Sequence, residues 1–168
     1  MTEKSKHKKT YHRILGIDPG YERVGLAVLE KDDSGKEVVL FSECFKTKKD
    51  FSHGDRLAKI GAEMRRVIDE FKPSAVSIEK LFFNTNQKTA FLVSEARGVI
   101  LYEASLCNIK IFEFTPLEIK VAVTGYGRAD KRQVIKMVNA LVPMNKRGME
   151  DDEYDAIATA ITCMAVSK

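Results

Sequence analysis

An apolar run that ends in a carboxylate constrains the fold of this chain more than any other stretch. Residues 13–20 read Arg-Ile-Leu-Gly-Ile-Asp-Pro-Gly, which predicts a short buried strand followed at once by a turn at Pro19–Gly20. A buried central strand favours Val, Ile and Leu throughout. Asp18, at the end of the strand, therefore either accepts local backbone hydrogen bonds in the turn or holds a ligand there.

A second predicted strand, residues 75–79, also ends in a carboxylate, at Glu79. The remaining elements follow from alternation, helical spacing and turn residues. They are strands over 24–29, 38–45 and 109–114, and helices over 54–72, 86–106, 130–141 and 151–166. The order β-β-β-α-β-α-β-α-α predicts one α/β domain over residues 13–168, a mixed five-stranded sheet flanked by helices.

Composition is that of a globular protein, with 44% hydrophobic and 31% charged residues. No apolar run approaches the roughly 20 residues of a membrane span, so no membrane association is expected. Residues 1–12 are basic without a secretory apolar segment and are predicted to be a disordered tail. Cys44, Cys107 and Cys163 lack paired spacing, which indicates reduced thiols in a cytoplasmic protein. A net charge of +4 permits nucleic-acid binding without proving it.

Two further acids, Asp152 and Asp155, lie three residues apart on one face of the last predicted helix. The small residues Ala156, Ala158 and Ala160 would let that helix lie close to a sheet. Acids at a helix N-terminus also gain from the helix dipole, so a solvated cap is the alternative. With the acids at the two strand ends, they predict an oxygen-ligand site for Mg²⁺. Two such ions roughly 4 Å apart would hydrolyse a phosphodiester.

Five motifs occur in a fixed order along the chain. They are Gly-Ile-Asp-Pro-Gly at 16–20, Ile-Glu-Lys-Leu-Phe-Phe at 78–83, Ala-Arg-Gly-Val at 96–99, Thr-Gly-Tyr-Gly at 124–127 leading to Lys131, and Asp-x-x-Asp-Ala-x-Ala at 152–158. Together they resemble the RuvC family of Holliday-junction resolvases over residues 13–166. The resemblance implies a ribonuclease H-like fold and a homodimer that makes Mg²⁺-dependent paired nicks in four-way DNA junctions during recombination and repair. It also suggests a branch-migration motor complex as a partner.

By position, the resemblance implies that Asp18, Glu79, Asp152 and Asp155 are catalytic ligands of two Mg²⁺ ions, which Mn²⁺ would replace. It also implies that Phe82 stacks at the junction and that Lys120 and Lys131 lie near the scissile strand. The basic residues around the 125–127 loop precede a helix N-terminus, which favours phosphate contacts by Lys120, Arg128, Lys131 and Arg132, with Arg23 a weaker candidate. Asp151 or Glu153 would compete as ligands, although only Asp152 has the three-residue spacing to Asp155.

The predicted helix over 86–106 is apolar on two faces, at positions that include Phe91, Leu101 and Tyr102. One face should cover the sheet. The other would expose an apolar patch that a monomer rarely tolerates, so this helix is predicted to form the homodimer interface, with Gly98 allowing a close approach.

Three other functions compete with junction resolution. A nuclease of the same fold that cuts RNA or an RNA–DNA hybrid would use the same four acids. An actin-like ATPase fragment shares Gly-Ile-Asp-x-Gly but needs a second phosphate loop, which 168 residues with one copy do not supply. A non-catalytic DNA-binding domain would not need four converging acids.

Overall fold

The computed structural model describes residues 11–81, 87–144 and 148–167. Within these ranges the elements are β1 (Arg13–Asp18), β2 (Arg23–Lys31), β3 (Glu37–Lys46), α1 (His53–Phe71), β4 (Ala75–Glu79), α2 (Gln87–Leu106), β5 (Lys110–Phe114), α3 (Pro116–Thr124), α4 (Lys131–Leu141) and α5 (Asp151–Val166). The strand order is β3-β2-β1-β4-β5. Strand β1 pairs antiparallel with β2 and parallel with β4. The predicted mixed five-stranded sheet is therefore confirmed.

Helix α3 was not predicted. The sequence predicted no element between the strand over 109–114 and the helix over 130–141, yet Thr115 accepts a hydrogen bond from the Glu118 backbone, and the Glu118 carboxylate accepts one from Thr115. This capping box with a proline in the first turn is a helix-start signal. The apolar periodicity gave no help, because Leu117 and Val121 are exposed while only Ile119 and Val123 are buried.

The sheet is covered on both faces. Alternation along β1 sends Ile14 towards α3, α4 and α5, and sends Leu15 and Ile17 towards α1 and α2.

Of the predicted disordered tail 1–12, residues 1–10 lie outside the described residues. Tyr11 packs edge-on against Phe112, and the His12 carbonyl accepts a hydrogen bond from the Lys31 backbone. Within the described ranges no helix has the length and apolarity to cross a membrane.

Helix α5 lies directly on the centre of the sheet because two glycines make room for it. A Cβ on Gly16 of β1 would collide with the Ala156 carbonyl, and one on Gly25 of β2 would collide with the Asp152 carbonyl. The predicted close approach of α5 to the sheet is confirmed, since its alanines at 156, 158 and 160 are all buried. This close contact fixes the start of α5 over the beginning of β2, which pairs with the end of β1.

Candidate active site

The four predicted acids converge at one edge of the sheet. Strands β1 and β4 are parallel neighbours in which Ile17 pairs with Ile78, so Asp18 and Glu79 follow side by side at their carboxyl ends. Asp18 pairs across the sheet with Gly25, the residue against which the Asp152 backbone packs. One helical turn later, Asp155 lies near Glu79 in a cleft of about 260 Å³.

Burial and neighbouring acids oppose the ionisation of three of these carboxylates, Asp18, Glu79 and Asp155. Burial raises the pKa of Asp18 to about 7, and Asp155 is the neighbouring acid that contributes most to this rise. Burial and then Asp155 likewise raise the pKa of Glu79, and burial is the main cause of the raised pKa of Asp155. Ionising all of these acids is unfavourable when no cation is bound. Hard divalent cations bind carboxylate oxygens and cancel the repulsion between the negative charges, so the cluster is suited to them.

Burial and this repulsion together make the stability of the cation-free protein depend on pH. Folding raises the pKa of Asp18 from the usual 3.8 to about 7, so between these values the native protein holds a proton that the unfolded chain releases. Wild-type stability therefore falls as pH rises through that window. The Asp18→Asn protein is expected to melt several degrees higher than wild type at pH 8 in EDTA, with the difference shrinking towards pH 4.

Thermal unfolding in EDTA at pH 4, 6 and 8 measures this effect, with Asp33→Asn in the exposed β2–β3 turn as the control. If the melting temperatures of the Asp18→Asn protein and wild type differ by the same amount at all three pH values, the raised pKa of Asp18 is contradicted.

Two predicted basic residues, Lys120 and Lys131, line the same cleft as Glu79 and Asp155. The Lys131 ammonium lies 3.1 Å from an Asp155 carboxylate oxygen and 3.2 Å from one of Asp151. Lys131 is fixed at the first position of α4 by the capping box between Asp130 and Gln133. The positive charge of Lys120 offsets part of the rise in the pKa of Glu79, and the hydrogen bond and charge of Lys131 offset part of the rise in the pKa of Asp155.

Arg23 contacts Asp152, whereas the two lysines lie beside Glu79 and Asp155. Its terminal Nη2 donates to Asp152 Oδ2 and also to Glu150 Oε2, at 2.7 Å for Glu150. The Cys44 thiol donates to the same Asp152 oxygen at 3.6 Å. Ligand atoms of Cys44, Glu150 and Asp152 lie within 4.8 Å of one another, a grouping that the sequence analysis missed. Cys44 pairs with Gly25, the residue against which the Asp152 backbone packs, and this pairing brings the three residues together. It could be predicted only if the register between β2 and β3 were known.

The other predicted site residues are placed as follows. Arg128 and Arg132 are exposed, one in the loop before α4 and one in its first turn. Phe82 lies outside the described residues.

Glu153 is buried and accepts hydrogen bonds from the Ser42 hydroxyl and the Glu150 backbone, so it points towards β3. Arg97, within the Ala-Arg-Gly-Val motif, donates to the Glu79 carbonyl at 3.4 Å and ties α2 to the end of β4.

A mixed sheet of strand order 3-2-1-4-5, flanked by helices and with acids at the ends of two neighbouring inner strands, is the arrangement of ribonuclease H-like nucleases. The family model described as crossover junction endodeoxyribonuclease RuvC matches residues 14–163. The chain therefore belongs to the RuvC family.

Similar proteins agree with this membership over nearly the whole chain. The crossover junction endodeoxyribonuclease RuvC of Finegoldia magna is 43% identical over 156 residues, which is 93% of this chain and 94% of that protein. The protein of the same name from Halothermothrix orenii is 45% identical over 148 residues, covering 88% and 89%. The structure of T. thermophilus RuvC in complex with a Holliday junction substrate superimposes with a TM-score of 0.83 at 30% identity, covering 90% of this chain and 92% of that one.

Proposed function

We propose that this protein resolves four-way DNA junctions by paired, symmetric, Mg²⁺-dependent hydrolysis of phosphodiesters during recombination and repair. The observation that carries the proposal is the convergence of Asp18, Glu79, Asp152 and Asp155 at one sheet edge in a chain of the RuvC family. The similar T. thermophilus protein is described in complex with a Holliday junction substrate. Four-way junction DNA is accordingly the substrate.

The four acids would hold two Mg²⁺ ions, with Mn²⁺ as a substitute. Support comes from the donor set, which is made entirely of carboxylates, and from burial and neighbouring acids, which raise the pKa values of Asp18, Glu79 and Asp155. Bound divalent cations supply a nucleophile at neutral pH and stabilise the negative charge that develops on the leaving oxygen. Without cations, the same cluster would repel a phosphodiester.

The basic residues bring the substrate phosphate to the acids. Lys120 and Lys131 lie in the cleft beside Glu79 and Asp155, where they favour the ionised carboxylates and offer positive charge to the scissile strand. Arg128 and Arg132 extend this charge outward at the N-terminus of α4, which itself favours an anion. Phe82 stacks on an unpaired base at the junction, a role that the family resemblance implies.

The active unit is a homodimer formed through α2. Phe91, Tyr102 and Leu106 of that helix are exposed apolar side chains, and in the described part of the chain no atom of another element lies within 4 Å of a Cβ placed on Gly98. A cytoplasmic location and association with a branch-migration motor complex follow from the family resemblance alone.

The test compares a mobile four-way junction with an immobile one, a linear duplex and an RNA–DNA hybrid, each with and without Mg²⁺. Symmetric cleavage of the junctions only in Mg²⁺, with the duplex and hybrid intact, is the expected result. Preferential cleavage of the hybrid would replace the resolvase with a hybrid-specific nuclease of the same fold. Binding without cleavage in any divalent cation would indicate a DNA-binding domain instead.

A further inference from the structure

One carboxylate oxygen of the proposed metal site already serves two donors of the chain. Asp152 Oδ2 accepts hydrogen bonds from the Arg23 guanidinium and from the Cys44 thiol. The Arg23 nitrogen that makes this bond also contacts Glu150 Oε2, at 2.7 Å. Glu150 in turn pairs with the Lys46 ammonium at 2.6 Å. A single guanidinium nitrogen is thus shared between a proposed metal ligand and a neighbouring carboxylate.

We propose that Arg23 competes with the divalent cation for Asp152, and that Glu150 is the second acceptor that holds Arg23 when the cation binds. The inference rests on the proposed function only in taking Asp152 as a metal ligand. Arg23 and Glu150 are positioning residues in this scheme, because they act through Asp152.

The competition follows from the chemistry of the three groups. A guanidinium stays protonated at any pH that the protein survives, so it can leave Asp152 only by moving. Its attraction to the carboxylate is lost when a divalent cation takes the same oxygen, since two positive groups would then be in contact.

Glu150 makes the required movement of Arg23 small. Its carboxylate already touches the nitrogen that must leave Asp152, so Arg23 keeps a charge-assisted hydrogen bond throughout. Arg23 begins β2 and pairs with Lys46, and Glu150 is the N-cap of α5, so both positions are fixed by the fold. The balance between Asp152 and Glu150 therefore sets the cation concentration at which the site fills.

The experiment measures Mn²⁺ binding to the DNA-free protein by the electron paramagnetic resonance signal of free Mn²⁺. Arg23→Gln is expected to tighten binding by roughly threefold to fivefold, the range of a partly exposed ion pair. Glu150→Gln is expected to weaken it by about twofold to threefold, because Arg23 then keeps Asp152 as its carboxylate partner. In the Arg23→Gln background, Glu150→Gln should have almost no effect.

Arg66→Gln is the matched control, because Arg66 also bridges several carboxylates and its side chain has the same 44% exposure as Arg23. Its Mn²⁺ affinity should equal that of wild type. If Arg23→Gln tightens binding no more than this control, the inference is overturned. Equal weakening by Glu150→Gln with and without Arg23 would also overturn it, since Glu150 would then act only through its own charge.

A folding defect in the glutamine variant would be seen by thermal unfolding, and Arg23→Lys then replaces it in the titration. Lysine keeps the charge but loses the planar guanidinium, so its Mn²⁺ affinity is expected to lie between that of wild type and a threefold higher value. An affinity equal to that of wild type would contradict the competition. The assays separate the two proposals. Shifted Mn²⁺ affinities without any junction cleavage would refute only the proposed function, and normal cleavage with unshifted affinities would refute only the role of Arg23.

Discussion

The Asp18→Asn, Glu79→Gln, Asp152→Asn and Asp155→Asn proteins are each expected to cleave a four-way junction at least about a thousandfold more slowly than wild type. Such a loss corresponds to roughly 4 kcal/mol of transition-state stabilisation. Each amide keeps the shape of the side chain but removes a charge that binds cations. Junction binding should be unchanged or tighter, because the same charge repels phosphate when no cation is present.

Single-turnover cleavage rates and gel-shift affinities on one synthetic junction measure both quantities. Asp151→Asn is the matched control. Asp151 is exposed and pairs with Lys131 at 3.2 Å, whereas the backbone of Asp152 packs against β2. It should cleave at nearly the wild-type rate. An inactive Asp151→Asn protein beside an active Asp152→Asn protein would show that the ligand register on α5 is wrong.

The positions of the four acids were predictable because each is marked by a local pattern. A carboxylate at the end of an apolar strand is unusual, and two strands of this kind predicted Asp18 and Glu79 at strand ends. The three-residue spacing did the same for Asp152 and Asp155. Small residues also indicated where α5 would approach the sheet, and Ala156 is buried directly above Gly16.

The contacts of Arg23 were not predictable from the chain alone. They depend on the register between β2 and β3, which places Cys44 beside Gly25 and Lys46 beside Arg23. A shift of one residue would turn all these side chains to the other face. Residues 23, 44 and 150 are far apart in sequence, so no local pattern joins them. Arg23 was predicted to contact DNA, and its pairing with Asp152 and Glu150 gives it a second set of partners before DNA arrives.

The interface on α2 was predicted from apolar residues on two faces of one helix, and the structure separates those faces. Ala96, Ile100 and Ala104 are buried towards the sheet and α1. Phe91 and Tyr102 are 71% and 61% exposed, and Gly98 lies between them at helical spacings of seven and four residues, on the same face. A two-fold partner would cover this stripe by isologous contact and would place two sets of the four acids symmetrically.

Tyr102→Asp and Gly98→Phe proteins are therefore expected to sediment as monomers at micromolar concentration, where the wild type is expected to sediment as a dimer. A charge on an apolar interface carries a desolvation cost, and a phenyl ring at Gly98 prevents the close approach. Val166→Asp, at 58% exposure on α5, is the matched control and should remain dimeric.

The loss of the dimer should change the products from a plasmid that extrudes a cruciform. Two active sites on the proposed dimer would nick opposed strands before the protein dissociates, which would give linear plasmid. Monomers nick independently and give open circles, so Tyr102→Asp should convert linear product into open circles while each subunit keeps its acids intact. A monomeric wild-type protein, or one that yields only open circles, would leave a single-strand nuclease in place of the resolvase, because a four-way junction is resolved only when both opposed strands are cut.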